Sequence, residues 1–196
     1  TNELIVFLNT DVYPKKGFIE NSIKHFKNPR VFAVGFMDES IEEGNIVLRG
    51  SGIGLWQRGF YIHKKGDTHT NHTDWVSGGS MICRASLFRK FEGFNTIYGP
   101  FYWEDIDLSY RAKKAGYDVV FEPGSAVVHE HEKGAILSKY SKADIVRISY
   151  RNQFIFVWLN ATPLQMLSHV LWLPYHLALS LKGDGKLAGG FLNALV

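Results

Sequence analysis

Leu4-Ile5-Val6-Phe7-Leu8-Asn9-Thr10-Asp11 is the stretch that decides the fold. Five apolar residues in a row show no polar alternation, so they read as a strand buried on both faces, as in an α/β sheet. Asn9-Thr10-Asp11 follow at once, where such sheets gather their ligands, just beyond a strand end. Working outward, Pro14 fits the first turn of a helix, where its missing N–H costs nothing. Phe18, Ile19, Ile23 and Phe26 share one face of that helix, and Asn28-Pro29 stops it. Val31 to Phe36 is the next strand. The strand–helix–strand unit predicts a parallel pair, and the fold class expected is α/β: a mixed, mainly parallel sheet with helices on both faces.

Residues 38 to 75 are polar and Gly-rich with short β fragments such as Ile46-Val47-Leu48, and read as an inserted loop and hairpin region over the sheet edge. His63, His69 and His72 lie here without metal-ligand rhythm and read as solvated loop residues. Ser77-Gly78-Gly79-Ser80 leads into a strand, Met81-Ile82-Cys83. A helix spans Ala85 to Phe91, an aromatic loop Phe94 to Trp103, and a second helix Glu104 to Ala115, with acids in its first turn and Lys113 and Lys114 in its last. Tyr117 to Phe121 and Ala126 to Val128 read as short strands split by Pro123-Gly124. Asn152 to Leu181 contains no Asp, Glu, Lys or Arg. Pro163 and Pro174 interrupt it, so it reads as two apolar helices, packed on the domain or lying in a membrane interface, rather than as one spanning helix. The domain division expected is 1–137 and a helical extension over 138–196.

Composition narrows the function classes. Five Trp, nine Tyr and fourteen Phe in 196 residues exclude a disordered chain. A net charge of +3 without a basic stripe excludes a dedicated nucleic-acid binder. Cys83 is the single cysteine, so there is no internal disulfide framework, and a reducing compartment is expected. The sequons at Asn71 and Asn160 then read as chance. The start of the chain, a core-like strand within a few residues of Thr1, suggests a missing upstream segment.

Three clusters could carry chemistry: Asn9-Thr10-Asp11 after the first strand, Glu104-Asp105 with Asp107 at a helix start, and His129-Glu130-His131 at a strand exit. Singly, each reads as capping or a polar strand end. Together they suit a hard-ligand metal site with an acid pair nearby as base.

Leu8-Asn9-Thr10-Asp11-Val12-Tyr13-Pro14 resembles the D-x-D-type metal segment of glycosyltransferase family 2, inverting enzymes with the GT-A fold. Gly78 to Arg84, Gly93-Phe94 and Trp103-Glu104-Asp105-Ile106-Asp107-Leu108 resemble its acceptor-side block, with Ala115-Gly116-Tyr117 closing the helix. Val127-Val128-His129 and Arg151-Asn152 resemble the segments that follow, closest to the rhamnosyltransferase-like branch.

The resemblance implies a partial GT-A domain with an apolar helical extension. It gives Asp11 and His129 (His131 as fallback) to a divalent ion, Mg²⁺ or Mn²⁺. It gives Asp105 the role of base, with Glu104 orienting the acceptor. Asn9, Thr10 and Arg151 fall near the donor diphosphate, and Gly78, Gly79, Tyr102 and Trp103 near the acceptor sugar. The partners implied are a nucleotide-sugar and a glycan or lipid-linked acceptor, at the inner face of the cytoplasmic membrane with peripheral membrane contact.

Asn9 departs from the first aspartate of D-x-D. The family's strand–helix–strand half for base and ribose has no counterpart in this chain. The chain alone is therefore expected to be inactive, and to self-associate through its open first strand or its C-terminal helices. The alternative from another class is a non-catalytic assembly domain that keeps the scaffold.

Overall fold

The computed structural model describes residues 3–42, 44–130, 136 and 139–196. The chain divides into two compact units: Thr1–Ile53, Lys64–Asn95 and Asp105–Ser138 form the first, and Gly54–His63, Thr96–Glu104 and Lys139–Val196 the second.

The first unit is built on one sheet. Its strands are β1 (Leu4–Leu8), β2 (Val12–Pro14), β3 (Val31–Glu42), β4 (Asn45–Arg49), β7 (Ser80–Arg84) and β8 (Asp118–His129), in the order β1-β7-β3-β8-β2 with β4 against the far end of β3. Only β3 and β8 run parallel; β1·β7, β3·β7, β3·β4 and β2·β8 are antiparallel. The sheet is therefore mixed but mainly antiparallel, which corrects the expected topology. β1 and β3 do run in the same sense, but β7 lies between them.

Pro14 belongs to β2, and the helix α1 starts later, at Phe18–Ile23. Pro tolerates this place because an edge strand need not donate with every N–H. Residues 38–42 are not loop but the end of β3, and β4 returns along them as a hairpin. The strands expected on either side of Pro123-Gly124 are one strand. Its register jumps from Glu122 opposite Phe36 to Ala126 opposite Met37, so residues 123–125 bulge out.

β3 is buried at every position from Val31 to Asp38, as a central strand must be. On one face Ala33, Met81 and Cys83 pack with Leu87, Leu108 and Ala112 from α2 (Ala85–Lys90) and α3 (Glu104–Lys114). On the other, Val34, Phe36 and Ile82 pack with Phe18 of α1 and Phe26. Cys83 sits inside this core, where burial pushes its thiol up to about 12 and leaves it inert.

The second unit takes the turn end of the hairpin β5 (Gly52–Gln57) and β6 (Phe60–Lys65), the segment 96–104, and three helices: α4 (Lys142–Asn160), α5 (Pro163–Lys182) and α6 (Lys186–Ala194). Phe60, Phe154 and Val157 form its core with Trp56, Trp158, Leu173 and Phe191. His169 of α5 is buried there, its Nδ1 2.8 Å from the Gly59 carbonyl and its Nε2 accepting from Trp158 Nε1 at 3.3 Å. Gly59 is required twice over: its φ is +80°, and a Cβ would lie 2.6 Å from His169 Cα. No described helix is long and apolar enough to cross a membrane.

Candidate functional site

The β2·β8 ladder builds the centre of the site. Val12 stands opposite His129, and the Glu130 N–H donates to the Asp11 carbonyl at 3.1 Å. This register brings the Asp11 carboxylate within 3.4 Å of His129 Nε2. The parallel β3·β8 ladder sets Ser40 opposite His129. Asp38, two residues earlier and on the same face, meets the other ring nitrogen, with its Oδ2 2.8 Å from His129 Nδ1. Ser40 Oγ donates to the second Asp38 oxygen at 2.8 Å. Asp38 is 6% exposed, so this is a buried carboxylate with both oxygens engaged.

In the neutral ring that donates Nδ1–H to Asp38, Nε2 is left as an acceptor, the arrangement in which a carboxylate orients a metal-binding histidine. In the protonated ring both nitrogens donate, to Asp38 and to Asp11. Burial disfavours the charged ring, but hydrogen bonds and charge from Asp38 and Asp11 outweigh it and raise the His129 pKa. The donor set fits a small divalent cation. Cis ligands at bond lengths of about 2.1 Å lie about 3 Å apart, close to the Asp11–His129 separation. Among the described residues no group of three or more His, Cys, Asp or Glu is arranged to hold a metal ion. Asp11 and His129 would supply two ligands to a cation that takes its remaining ligands from phosphate and water. His131 lies outside the described residues.

Asp105 is joined to this centre through glycines. Asn9 donates its N–H to the Gly79 carbonyl at 2.9 Å, and its side chain lies so close that a Cβ at Gly79 would fall 2.3 Å from Nδ2. Gly78 N–H donates to Asp105 Oδ2 at 3.1 Å, and Ile106 N–H to Oδ1 at 2.8 Å. Asn9, Asp11, Gly78, Gly79, Asp105 and His129 therefore share one rim of the first unit, as the sequence reading expected of Asp11, Asp105 and His129. Thr10 is exposed beside them. A helix start favours a low carboxyl pKa, but at Asp105 desolvation outweighs the backbone hydrogen bonds and raises it. A carboxylate raised in this way is the stronger general base.

Tyr102, Trp103, Glu104 and Arg151 lie in the second unit. Trp103 is 2% exposed, its ring 5.0 Å from His63 and 5.2 Å from Phe156, so it is a core plug rather than a free platform. Tyr102 is 42% exposed. Both take left-handed backbone, φ +70° and +78°. Asn152, fully buried, holds this segment through Nδ2 against the carbonyls of Tyr98 (2.6 Å), Phe101 (2.9 Å) and Tyr102 (2.9 Å). Arg151, expected near the diphosphate, donates through Nη1 to the Ile97 and Gly99 carbonyls at 3.1 and 3.2 Å. Glu104 groups with this unit, whereas its chain neighbour Asp105 groups with the first. His69 and His72 are exposed, as read from sequence.

Asp38 is the residue that sequence reading missed. A strand read as ending at Phe36 leaves Asp38 in a loop, whereas β3 continues to Glu42. The signal available was the period-two pair Asp38 and Ser40 continuing a buried strand.

A mixed sheet with helices on both faces is the layout of a fold of the GT-A type. Residues 1–144 match the family described as "Glycosyltransferase like family 2", and the chain belongs to that family. It is 32% identical over 137 residues to the pre-mycofactocin glycosyltransferase of Mycobacterium tuberculosis (strain CDC 1551 / Oshkosh), an alignment covering 67% of this chain and 27% of that protein. It is 40% identical over 55 residues to the N-acetylglucosaminyl-diphospho-decaprenol L-rhamnosyltransferase of the same strain, covering 28% and 18%. The chain thus spans about a quarter of the length of the first relative. Among solved structures, GalNAc-T7 with UDP, GalNAc and Mn²⁺ superposes with a TM-score of 0.55 at 14% identity, over 76% of this chain and 31% of that one, and shares its fold.

Proposed function

We propose that the protein to which this chain belongs transfers a sugar from a nucleotide-sugar to a glycan or lipid-linked acceptor, with inversion. The observation that carries the reading is the Asp11–His129 pair, oriented from behind by Asp38. Asp11 and His129 would hold Mg²⁺ or Mn²⁺, which supplies positive charge to a diphosphate leaving group.

The rest is done by the chain's own residues. Asp105 takes the proton of the acceptor hydroxyl as the new bond forms to the anomeric carbon. The bond from that carbon to the phosphate oxygen breaks with its electron pair, and the nucleoside diphosphate leaves. Attack from the opposite face inverts the centre. Gly78 and Gly79 let the chain approach Asp105 and Asn9 closely, and within the second unit Asn152 and Arg151 hold the segment that carries Tyr102.

In the whole enzyme, Asp11→Ala lowers turnover by about a thousandfold or more, the size of effect lost with a principal charge-stabilising group. Asp105→Asn leaves donor binding intact, measured calorimetrically, but stops transfer. Full turnover in excess chelator overturns the metal assignment. Absence of transfer by the unaltered enzyme favours the non-catalytic scaffold.

The same reading places the enzyme at the inner face of the cytoplasmic membrane and leaves the 196-residue chain alone without transfer activity. It also has this chain self-associate through β1, the edge strand, where Val6 and Leu8 are each 37% exposed. Sedimentation as a monomer at high concentration contradicts that last point.

A further inference from the structure

The helix α5 is built inside out. None of its uncharged polar side chains (Gln165, Ser168, His169, His176 and Ser180) is exposed, and His169 is 1% exposed. Every exposed position except Lys182 is apolar. Leu164, Leu167, Leu171, Tyr175 and Ala178 recur at three- and four-residue steps, so they form one stripe, and Leu164 and Leu171 are 79% and 71% exposed. Water offers no reason for such a face, and contiguous apolar area of this kind marks an interaction site.

Charge says what the site meets. The second unit carries seven Lys and Arg against three Asp and Glu, a net +4, whereas the whole chain carries +3. Its positive excess is therefore the positive excess of the molecule. No acidic residue occurs from Ile145 to Gly183, and Lys182 ends the stripe on the same face. Beside the stripe, Trp172 is 38% exposed and lies under the Arg58 guanidinium at 5.4 Å. Arg58 and His176 border a cavity of about 320 Å³ floored by Phe60, Ile62 and Leu187. Trp172 at the margin of an apolar face, with a cation beyond it, matches the layering of a bilayer interface. A second copy of the chain fits less well, since a self-contact through this face opposes like charges.

We infer that α5 lies flat in the headgroup region of an anionic bilayer, with Leu164, Leu167 and Leu171 among the acyl chains and Arg58 and Lys182 on lipid phosphates. The inference rests on the membrane location in the proposed function but not on sugar transfer, so vesicle binding and turnover fail separately.

The test is flotation of the full 196-residue chain with vesicles of phosphatidylcholine alone or mixed with phosphatidylglycerol. Binding is expected to the mixed vesicles and to weaken with salt. Leu171→Glu, at an exposed position that folding does not use, lowers it by more than about tenfold. Leu167→Ser, a milder change, lowers it with helix content unchanged by circular dichroism. Arg58→Gln and Lys182→Gln each lower binding to the mixed vesicles by about fivefold and leave binding to phosphatidylcholine alone unchanged. Absence of binding to the mixed vesicles overturns the inference, as does binding unaffected by Leu171→Glu. Concentration-dependent self-association that Leu171→Glu abolishes, without vesicle binding, assigns the face to a second copy instead.

Discussion

α3 and α5 are both well-formed helices of the same chain, yet they sort their residues in opposite ways. α3 buries Ile106, Leu108 and Ala112 and turns Lys113 and Lys114 outward, near the end of the helix where cations suit the dipole. Its buried polar groups are provided for: Asp107 accepts from Arg111 at 2.7 Å, and Ser109 Oγ accepts from the Val76 N–H at 3.2 Å. α5 buries a histidine and shows leucines to the outside. Polarity on a helix surface records the medium that surface meets. The medium of α3 is water on one side and protein on the other. For α5 water explains neither side.

The comparison makes its largest prediction about stability. Leu108 is 1% exposed, so Leu108→Ala should cost about 2–5 kcal/mol, from lost transfer energy and the cavity left behind. Leu171→Ala removes the same atoms from a side chain 71% exposed and should change stability by no more than about 0.5 kcal/mol. Urea denaturation of the two variants measures both. A Leu171→Ala loss comparable to that of Leu108→Ala breaks the contrast, because it means the outward face of α5 is already covered in solution.

The same contrast explains what could be read from sequence. Local signals were legible where one physical rule governed a segment. The helix with acids at its start and lysines at its end and the strand exit at His129 follow single rules, and so does Leu4–Leu8 as a strand, though not as one buried on both faces: it is an edge strand with Val6 and Leu8 each 37% exposed. The residues of the rim were named for that reason. What failed were decisions made by distant partners. Nothing near Leu4 tells that β7, some seventy residues later, inserts between β1 and β3. Pro14 suits a helix start and an edge strand equally, and only the pairing with β8 decides. Asp38 is informative only when His129 stands beside it. For Asn152 to Leu181 the sequence left packing and membrane contact open, because periodicity shows that one face differs from the other and not which face turns inward.

His169 sharpens the comparison through pH. Burial first, and then the nearby charge of His176, lower its pKa below 6.5 despite the hydrogen bond to Gly59. A base with a lowered pKa in the folded state is protonated first in the unfolded state. The stability it contributes is complete above pH 6.5 and is lost as pH falls below that value toward the lowered one. The loss reaches at most about 1.4 kcal/mol per pH unit. The measurement is a difference between two chains. Denaturation midpoints of the unaltered chain and of His169→Gln, followed from pH 7.5 to pH 5, should converge as the pH falls. Parallel profiles would mean that His169 does not anchor α5.

The smallest effect expected is at the start of α5. Its outward face gains nothing from water, so in solution the helix leans on local devices. Thr162 Oγ1 accepts from the Gln165 N–H at 3.4 Å, the Gln165 side chain accepts from the Thr162 N–H at 2.8 Å, and Pro163 occupies the first turn. Thr162→Ala removes one half of this reciprocal cap and should cost about 1 kcal/mol in urea denaturation. Vesicles containing phosphatidylglycerol should shrink that cost, since a surface that buries Leu164 and Leu171 stabilises the helix independently of its cap. A cost that stays the same, or grows, in the presence of those vesicles would place the cap and the apolar stripe on unconnected parts of the energy balance. The inside-out order of α5 would then need a partner other than lipid.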